Sequence, residues 1–331
     1  MILGQRQLTR ALLARQGLLE RRELSLPDAL DAMGALQAQY APSMYIGLWS
    51  RVAGFERDAL TRALERREVV QATLMRVTIH LVSRADYWPL AVAIRDPRRA
   101  WFQRVTKQDA LEAQARTLRE ALREGPMKRK AIEELIGKES FQGIGMWVDM
   151  VRVPPSGTWE RRRADLFGLA EDWLGAPEIT LDDALDHLVT RYLTGFGPAS
   201  QPEIANWGGL TKGDVEPVLE RLDLVRFEAE DGTELFDLPA QPLPDADTPA
   251  PVRFLGTWDA ALLAHARRAQ ILPEEHRTKV FHTKMPQSIG TYLVDGAVAG
   301  TWKPDGTLTA FDGEPSRDVH EEFGRLMAFC A

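Results

Sequence analysis

The chain has 331 residues, 44% hydrophobic and 27% charged, proportions that exclude large-scale disorder and leave room for two or three small cores. With 41 Lys and Arg against 48 Asp and Glu, the net charge of -7 excludes a protein that coats nucleic acid by bulk electrostatics, although basic clusters stand at 128–130 and 161–163. The single cysteine, Cys330, excludes an internal disulfide or a thiolate metal cluster; no signal-peptide core or membrane-length apolar run is visible, so a cytoplasmic, membrane-free protein is expected.

Residues 5–15 carry a helical pattern. Ser25-Leu26-Pro27-Asp28 then has the form of an N-cap with an acidic residue three positions on, opening a helix that takes in Ala29, Leu30, Met33 and Leu36. A further helix at 56–67 precedes two β-branched runs, 69–75 and 77–82, that suit a hairpin. Helices followed by a two-stranded ribbon predict a winged helix.

Gly125-Pro126 is followed by Ile132 and Gly137, and Gly197-Pro198 by Ile204 and Gly209, at the same spacing, which predicts a repeated unit. Proline cannot continue a helix but fits the first turn of the next. Ser200 with Glu203 and Thr211 with Asp214 read as caps of two short helices broken at Gly208-Gly209. The runs 224–228 and 234–238, joined through Asp231-Gly232, predict the third wing, while 150–153 and the arginine-rich stretch after Gly157 are the candidate for the second. A proline-rich linker at 239–251 leads to a β-rich end with strands at 291–294, 297–302 and 307–311. The expected units are 1–105, 106–177, 178–240 and 252–331.

Gln37 and Gln39 form the most unusual polar cluster. Pro42 biases Ala41 away from helical geometry, so both amides are expected at a helix end, facing a cleft lined by Tyr40, Ser43, Met44 and Tyr45. An amide oxygen is a weak base, but it orients a water and stabilises nearby positive charge. Taken alone, the spacing fits two solvated or turn-bonding glutamines better than a catalytic pair.

Residues 36–51, Leu-Gln-Ala-Gln-Tyr-Ala-Pro-Ser-Met-Tyr-Ile-Gly-Leu-Trp-Ser-Arg, resemble the signature of the AlkZ/YcaQ-type winged-helix DNA glycosylases. Arg76-Val77-Thr78-Ile79-His80-Leu81 is similar to their first wing, the Gly-Pro-Ala-Ser stretch at 197–200 to their helix-turn-helix, and Trp258-Asp259 with 293–302 to their C-terminal barrel. The resemblance implies an α+β, mainly α fold: tandem winged helices in a C-shaped arrangement, then a small β-barrel-like domain with a terminal helix. The glutamine, any residue, glutamine order places the chain on the AlkZ side, since the YcaQ branch has aspartate second. By that resemblance Gln37 and Gln39 are catalytic in monofunctional excision of cationic N7-alkylguanine or N3-alkyladenine, bulky adducts or crosslinks included, from double-stranded DNA, by a monomer without metal or cofactor.

Candidate DNA contacts are Arg76, Thr78 and His80 on the first wing, Lys128, Arg129 and Lys130, and Arg277, Lys279, His282 and Lys284 in a basic and aromatic segment expected to form a hairpin. His80 on a strand also fits a structural histidine, and the charge runs fit solvated faces. Two other readings stand beside the enzyme: a non-catalytic winged-helix regulator, disfavoured by the acidic helix carrying Asp214, Glu216 and Glu220, and a helix-hairpin-helix glycosylase using Asp214.

Overall fold

A computed structural model describes residues 1–106, 111–265, 269, 271–281 and 289–331. It is a mixed α/β fold, about half helical. One order of elements, helix, strand, helix, helix, strand, strand, runs through most of the chain. Its first copy is Leu26–Met33, Leu36–Gln37, Ala41–Arg51, Arg57–Glu65, Val69–Thr73 and Ile79–Ser83; its second is Glu112–Arg123, Met127–Lys128, Arg129–Ile136, Lys138–Ile144, Met150–Arg152 and Leu166–Leu169. In the third, the helices Leu181–Phe196, Gln201–Gly208 and Lys212–Arg221 precede the hairpin Val225–Ala229 and Glu234–Asp237, and the first strand shrinks to a bridge between Ala199 and Phe236. Ile132 and Ile204, the matching positions of the sequence repeat, are both fully buried.

Local chemistry sets the helix ends. The Ser25 side chain accepts from the Asp28 amide, and Pro27 occupies the first turn. Ser200 with Glu203 and Thr211 with Asp214 form reciprocal capping boxes. Leu181–Phe196 buries Ala184, Leu188, Val189, Tyr192, Leu193 and Phe196, a stripe at helical spacing that packs on the long helix Arg84–Thr106 and on Leu26–Met33.

The first two copies share one antiparallel six-stranded sheet. Its order is Leu36–Gln37, Ile79–Ser83, Val69–Thr73, Met150–Arg152, Leu166–Leu169, Met127–Lys128, with Ala72 opposite Val151 at the seam. The third hairpin forms its own sheet with Ile2–Leu3, which runs parallel to Val225–Ala229. At the C-terminal end the strands Arg253–Leu255, Gly290–Val294, Ala297–Trp302 and Leu308–Ala310 pair antiparallel in chain order. The expected barrel is corrected here: among the described residues the first and last of these strands do not pair, so the sheet is open, and the helix Arg317–Cys330 packs on its first strand. No helix of the described residues is long and apolar enough to cross a membrane.

Buried arginines tie distant segments together. Arg15 donates to both Asp237 oxygens, at 2.7 and 2.6 Å, and to the Leu193 carbonyl, joining the first helix, Gln5–Arg15, to the third copy. Arg51 donates likewise to Asp259 at 3.0 and 2.7 Å, fixing the Ala41–Arg51 helix to the C-terminal region. Removing one partner of such a pair strands the other charge in the interior. Asp237→Ala is expected to lower unfolding free energy by about 3–5 kcal/mol in urea denaturation, and Arg15→Met/Asp237→Leu to recover most of that loss.

Candidate active site

The helix Leu26–Met33 stops at Gly34, left-handed with φ 72°, and the chain turns through Ala35 into the two-residue strand Leu36–Gln37. A side chain at Gly34 would meet the Arg191 carbonyl at 2.8 Å, so the turn needs glycine for space as well as conformation. Gln37 pairs with His80, and the Ala38 amide donates to the Ile79 carbonyl at 2.7 Å. Gln37 and Gln39 therefore belong to a short strand and the loop after it, not to a helix end. Pro42 does not end a helix; it sits in the first turn of a new one, Ala41–Arg51, where its missing N–H is harmless.

Ala38, between Gln37 and Gln39, is buried, and Gln39 is half-buried at a bend. Gln37 is 7% exposed, and its Nε2 donates to Thr78 Oγ at 3.3 Å, while that hydroxyl donates to the Met75 carbonyl. This leaves Gln37 Oε1 buried without a donor among the described residues, and Gln39 Oε1 is in the same state. An unsatisfied buried acceptor costs about 1–3 kcal/mol, and these two, two residues apart, are open to a donor or a positive centre. Gln71, 1% exposed, donates from Nε2 to the Ala38 carbonyl at 3.2 Å, so the residue between the glutamines is held at both its N–H and its carbonyl. Nothing in the sequence marks Gln71, because its partner is 33 residues away. The second copy supports it: a side chain at Gly157 would collide with Gln71 Oε1.

Of the expected cleft residues, Tyr40 and Ser43 line a cavity of about 310 Å3 walled by Trp159 and Trp302. The Tyr40 hydroxyl accepts from Arg162 at 3.2 Å, and Ser43 Oγ lies 2.6 Å from Thr257 Oγ. Met44 and Tyr45 are corrected to core residues, both fully buried, because the helix Ala41–Arg51 is covered on nearly every side; the Tyr45 hydroxyl bonds Thr61 and its ring meets Trp159 edge-on.

His80 is also corrected: it is 2% exposed and cannot reach a phosphate. Its Nδ1–H donates to the Thr78 carbonyl at 3.0 Å, and burial, with Arg76 nearby, lowers its pKa to about 3. Arg76 and Thr78 are partly exposed beside the glutamines. Lys128, Arg129 and Lys130 are not brought to the pair. Lys128 lies on the opposite edge strand of the six-stranded sheet, about 24 Å away by strand spacing, and Arg129 and Lys130 pair with Glu133 and Glu134. Arg277 and Lys279 lie on a helix, Glu274–Val280, rather than on a hairpin, packed over Phe281 and Phe311; His282 and Lys284 fall outside the described residues. The Asp214 carboxylate, the catalytic group of the helix-hairpin-helix alternative, is engaged by the Thr211 amide and hydroxyl as a helix cap.

Residues 30–329 match the family model described as DNA glycosylase AlkZ-like. The fold is similar to the solved structure of the Streptomyces sahachiroi DNA glycosylase AlkZ, with a TM-score of 0.82 and 17% identity, over 100% of this chain and 97% of that one. No curated protein matches the chain in sequence. A match over most of the chain settles the family: the chain belongs to the AlkZ-like DNA glycosylases. It is thus a DNA glycosylase, a hydrolase of base-excision repair.

His80 gives this site an acid-sensitive element. Its folded pKa, about 3, lies below the ordinary 6.5, so the folded state binds fewer protons than the unfolded between those values. The stability it contributes is complete above pH 6.5 and declines, by at most about 1.4 kcal/mol per unit, as pH falls towards 3. Denaturation midpoints measured at pH 7 and pH 4.5 should fall less in His80→Gln than in the parent; equal losses would show that His80 is not buried neutral.

Proposed function

We propose that the enzyme hydrolyses the N-glycosidic bond of cationic alkylpurines in duplex DNA, N7-alkylguanine and N3-alkyladenine above all, with Gln37 and Gln39 as its catalytic pair. The observation that carries this reading is the two amide oxygens, buried, neutral and without donors, on one clamped segment. An N7- or N3-alkylated purine already bears positive charge and departs without a proton from the protein. The barrier then lies in the sugar, whose anomeric carbon gains oxocarbenium character as the C–N bond lengthens. A fixed carbonyl oxygen aimed at that carbon stabilises charge that develops only in the transition state, and a second oxygen accepts a hydrogen bond from the attacking water. Thr78 orients Gln37 by taking its N–H, so the oxygen and not the nitrogen is presented. Gln39, nearer the solvent, takes the water in this scheme and Gln37 the charge.

We read the three repeated units as tandem winged helices around a C-shaped groove that admits a double helix; the recurring helix and hairpin order and the likeness to the Streptomyces enzyme support this reading. The acidic face of Lys212–Arg221, with Asp214, Glu216 and Glu220, suits a scaffold better than a helix that reads bases.

Duplex DNA carrying N7-methylguanine, incubated with the enzyme and then treated with mild alkali, should break at the modified site. Gln37→Ala and Gln39→Ala should each slow single-turnover excision by about 100-fold to 1,000-fold, in the range of lost transition-state hydrogen-bonding groups. If neither this duplex nor one with a bulky N7 adduct yields abasic sites above a Gln37→Ala/Gln39→Ala background, the alkylpurine reading fails.

A further inference from the structure

Apart from the glutamine pair, a groove of about 720 Å3 lies between three elements: the first-hairpin tip at Arg76 and Val77, the C-terminal half of the helix Arg84–Thr106, and the turn between Gln201–Gly208 and Lys212–Arg221. That volume lies in the range of built ligand sites. Its charged lining is Arg76, Arg98 and Arg104 against Asp96 and Asp214. Both carboxylates are already engaged, Asp96 by Arg99 at 3.6 Å and Asp214 by its helix cap. Among the described residues none of the three arginines has a carboxylate within ion-pair distance; Arg76 reaches the Leu263 carbonyl at 3.5 Å and Arg98 the Thr73 carbonyl at 2.9 Å. Arg98 is 4% exposed, so it adds positive charge beneath the groove rather than a contact.

Two further features mark this groove. Arg76 and Val77 are consecutive residues in the left-handed region, with φ of 52° and 57°, a conformation that a β-branched valine rarely adopts and that persists where function needs it. Trp101 is 44% exposed, and Arg104, three positions on, shares its helix face. An exposed indole beside an unpaired guanidinium is the platform on which a nucleobase stacks while its phosphate is neutralised. Thr78, two residues from Arg76, holds Gln37, so the groove adjoins the catalytic segment.

We propose that this groove is a second DNA contact, holding the strand that flanks the damaged nucleotide with its phosphates on Arg76 and Arg104 and an unstacked base on Trp101. The assignment rests on the reading that Gln37 and Gln39 face the damaged sugar. An acidic peptide would use the arginines but has no need of the indole; a strand uses both.

The test measures binding, independently of excision. The full chain is titrated against a short fluorescein-labelled duplex bearing a central N7-methylguanine, by anisotropy over a series of salt concentrations. Trp101 and Arg104 are exposed, so their substitution leaves the core intact. Arg104→Ala should bind about tenfold more weakly and lower the slope of log affinity against log salt by about one, and Arg104→Lys should restore the slope. Trp101→Ala should bind about tenfold more weakly with the slope unchanged. Parent-like affinity and slope in both alanine variants overturns the groove assignment, even where the parent excises the lesion. Weaker binding in the variants, with no excision by the parent, sustains the groove and rejects the alkylpurine reading instead.

Discussion

The backbone of Ala38 is gripped at both its polar groups, its N–H by the Ile79 carbonyl and its carbonyl by Gln71, and the rest of the site follows from that grip. A short strand at a sheet edge would otherwise fray, and the side chains flanking it would sample several rotamers. For the catalytic pair proposed above, that hold limits rearrangement at the moment of reaction, the condition under which fixed dipoles contribute most to catalysis. The two open carbonyl oxygens are tolerated because well-formed elements surround them: the Ala41–Arg51 helix with its buried Arg51–Asp259 pair, and the hairpin that supplies Thr78 and Gln71.

Each repeated unit has a separate part in this arrangement. The first supplies the glutamines and the hairpin against which they lie. The second contributes Gly157, whose missing side chain lets its loop close on Gln71, and Arg162, which reaches the Tyr40 hydroxyl. The third stands behind both: its helix Leu181–Phe196 packs on the helix that precedes the glutamines, and Arg191 bonds Asp31 on that helix at 3.0 Å. The position of Gln37 is therefore determined by residues from three parts of the chain.

Much of the fold was legible because caps and turns are written in adjacent residues. Ser25 with Asp28, Ser200 with Glu203 and Thr211 with Asp214 announced helix starts through side-chain bonds three residues long. Asp295-Gly296 announced a hairpin because both residues must turn left-handed, and they do. The helix Ala41–Arg51 escaped notice for two reasons: a proline marks helix starts as well as stops, and a helix buried on nearly every side shows no amphipathic stripe. That is also why Met44 and Tyr45 passed for cleft residues. The two-residue strand holding Gln37 is too short to show an alternating pattern. The glutamine pair stood out as a polar cluster, but its catalytic reading came only with the family resemblance. Gln71 and Arg98 were out of reach, because their contacts join parts of the chain that no local pattern connects.

The seam at Ala72 and Val151 has a consequence for how such a chain is assembled and altered. A hairpin that ends a self-contained module leaves a raw edge, open to pairing with a stranger; here two such edges are spent on each other. The first two units are therefore not beads that evolution or an engineer can trade singly. Excising either would uncover a sticky flank on its neighbour, and the remnant would tend to self-associate rather than survive as a smaller independent protein.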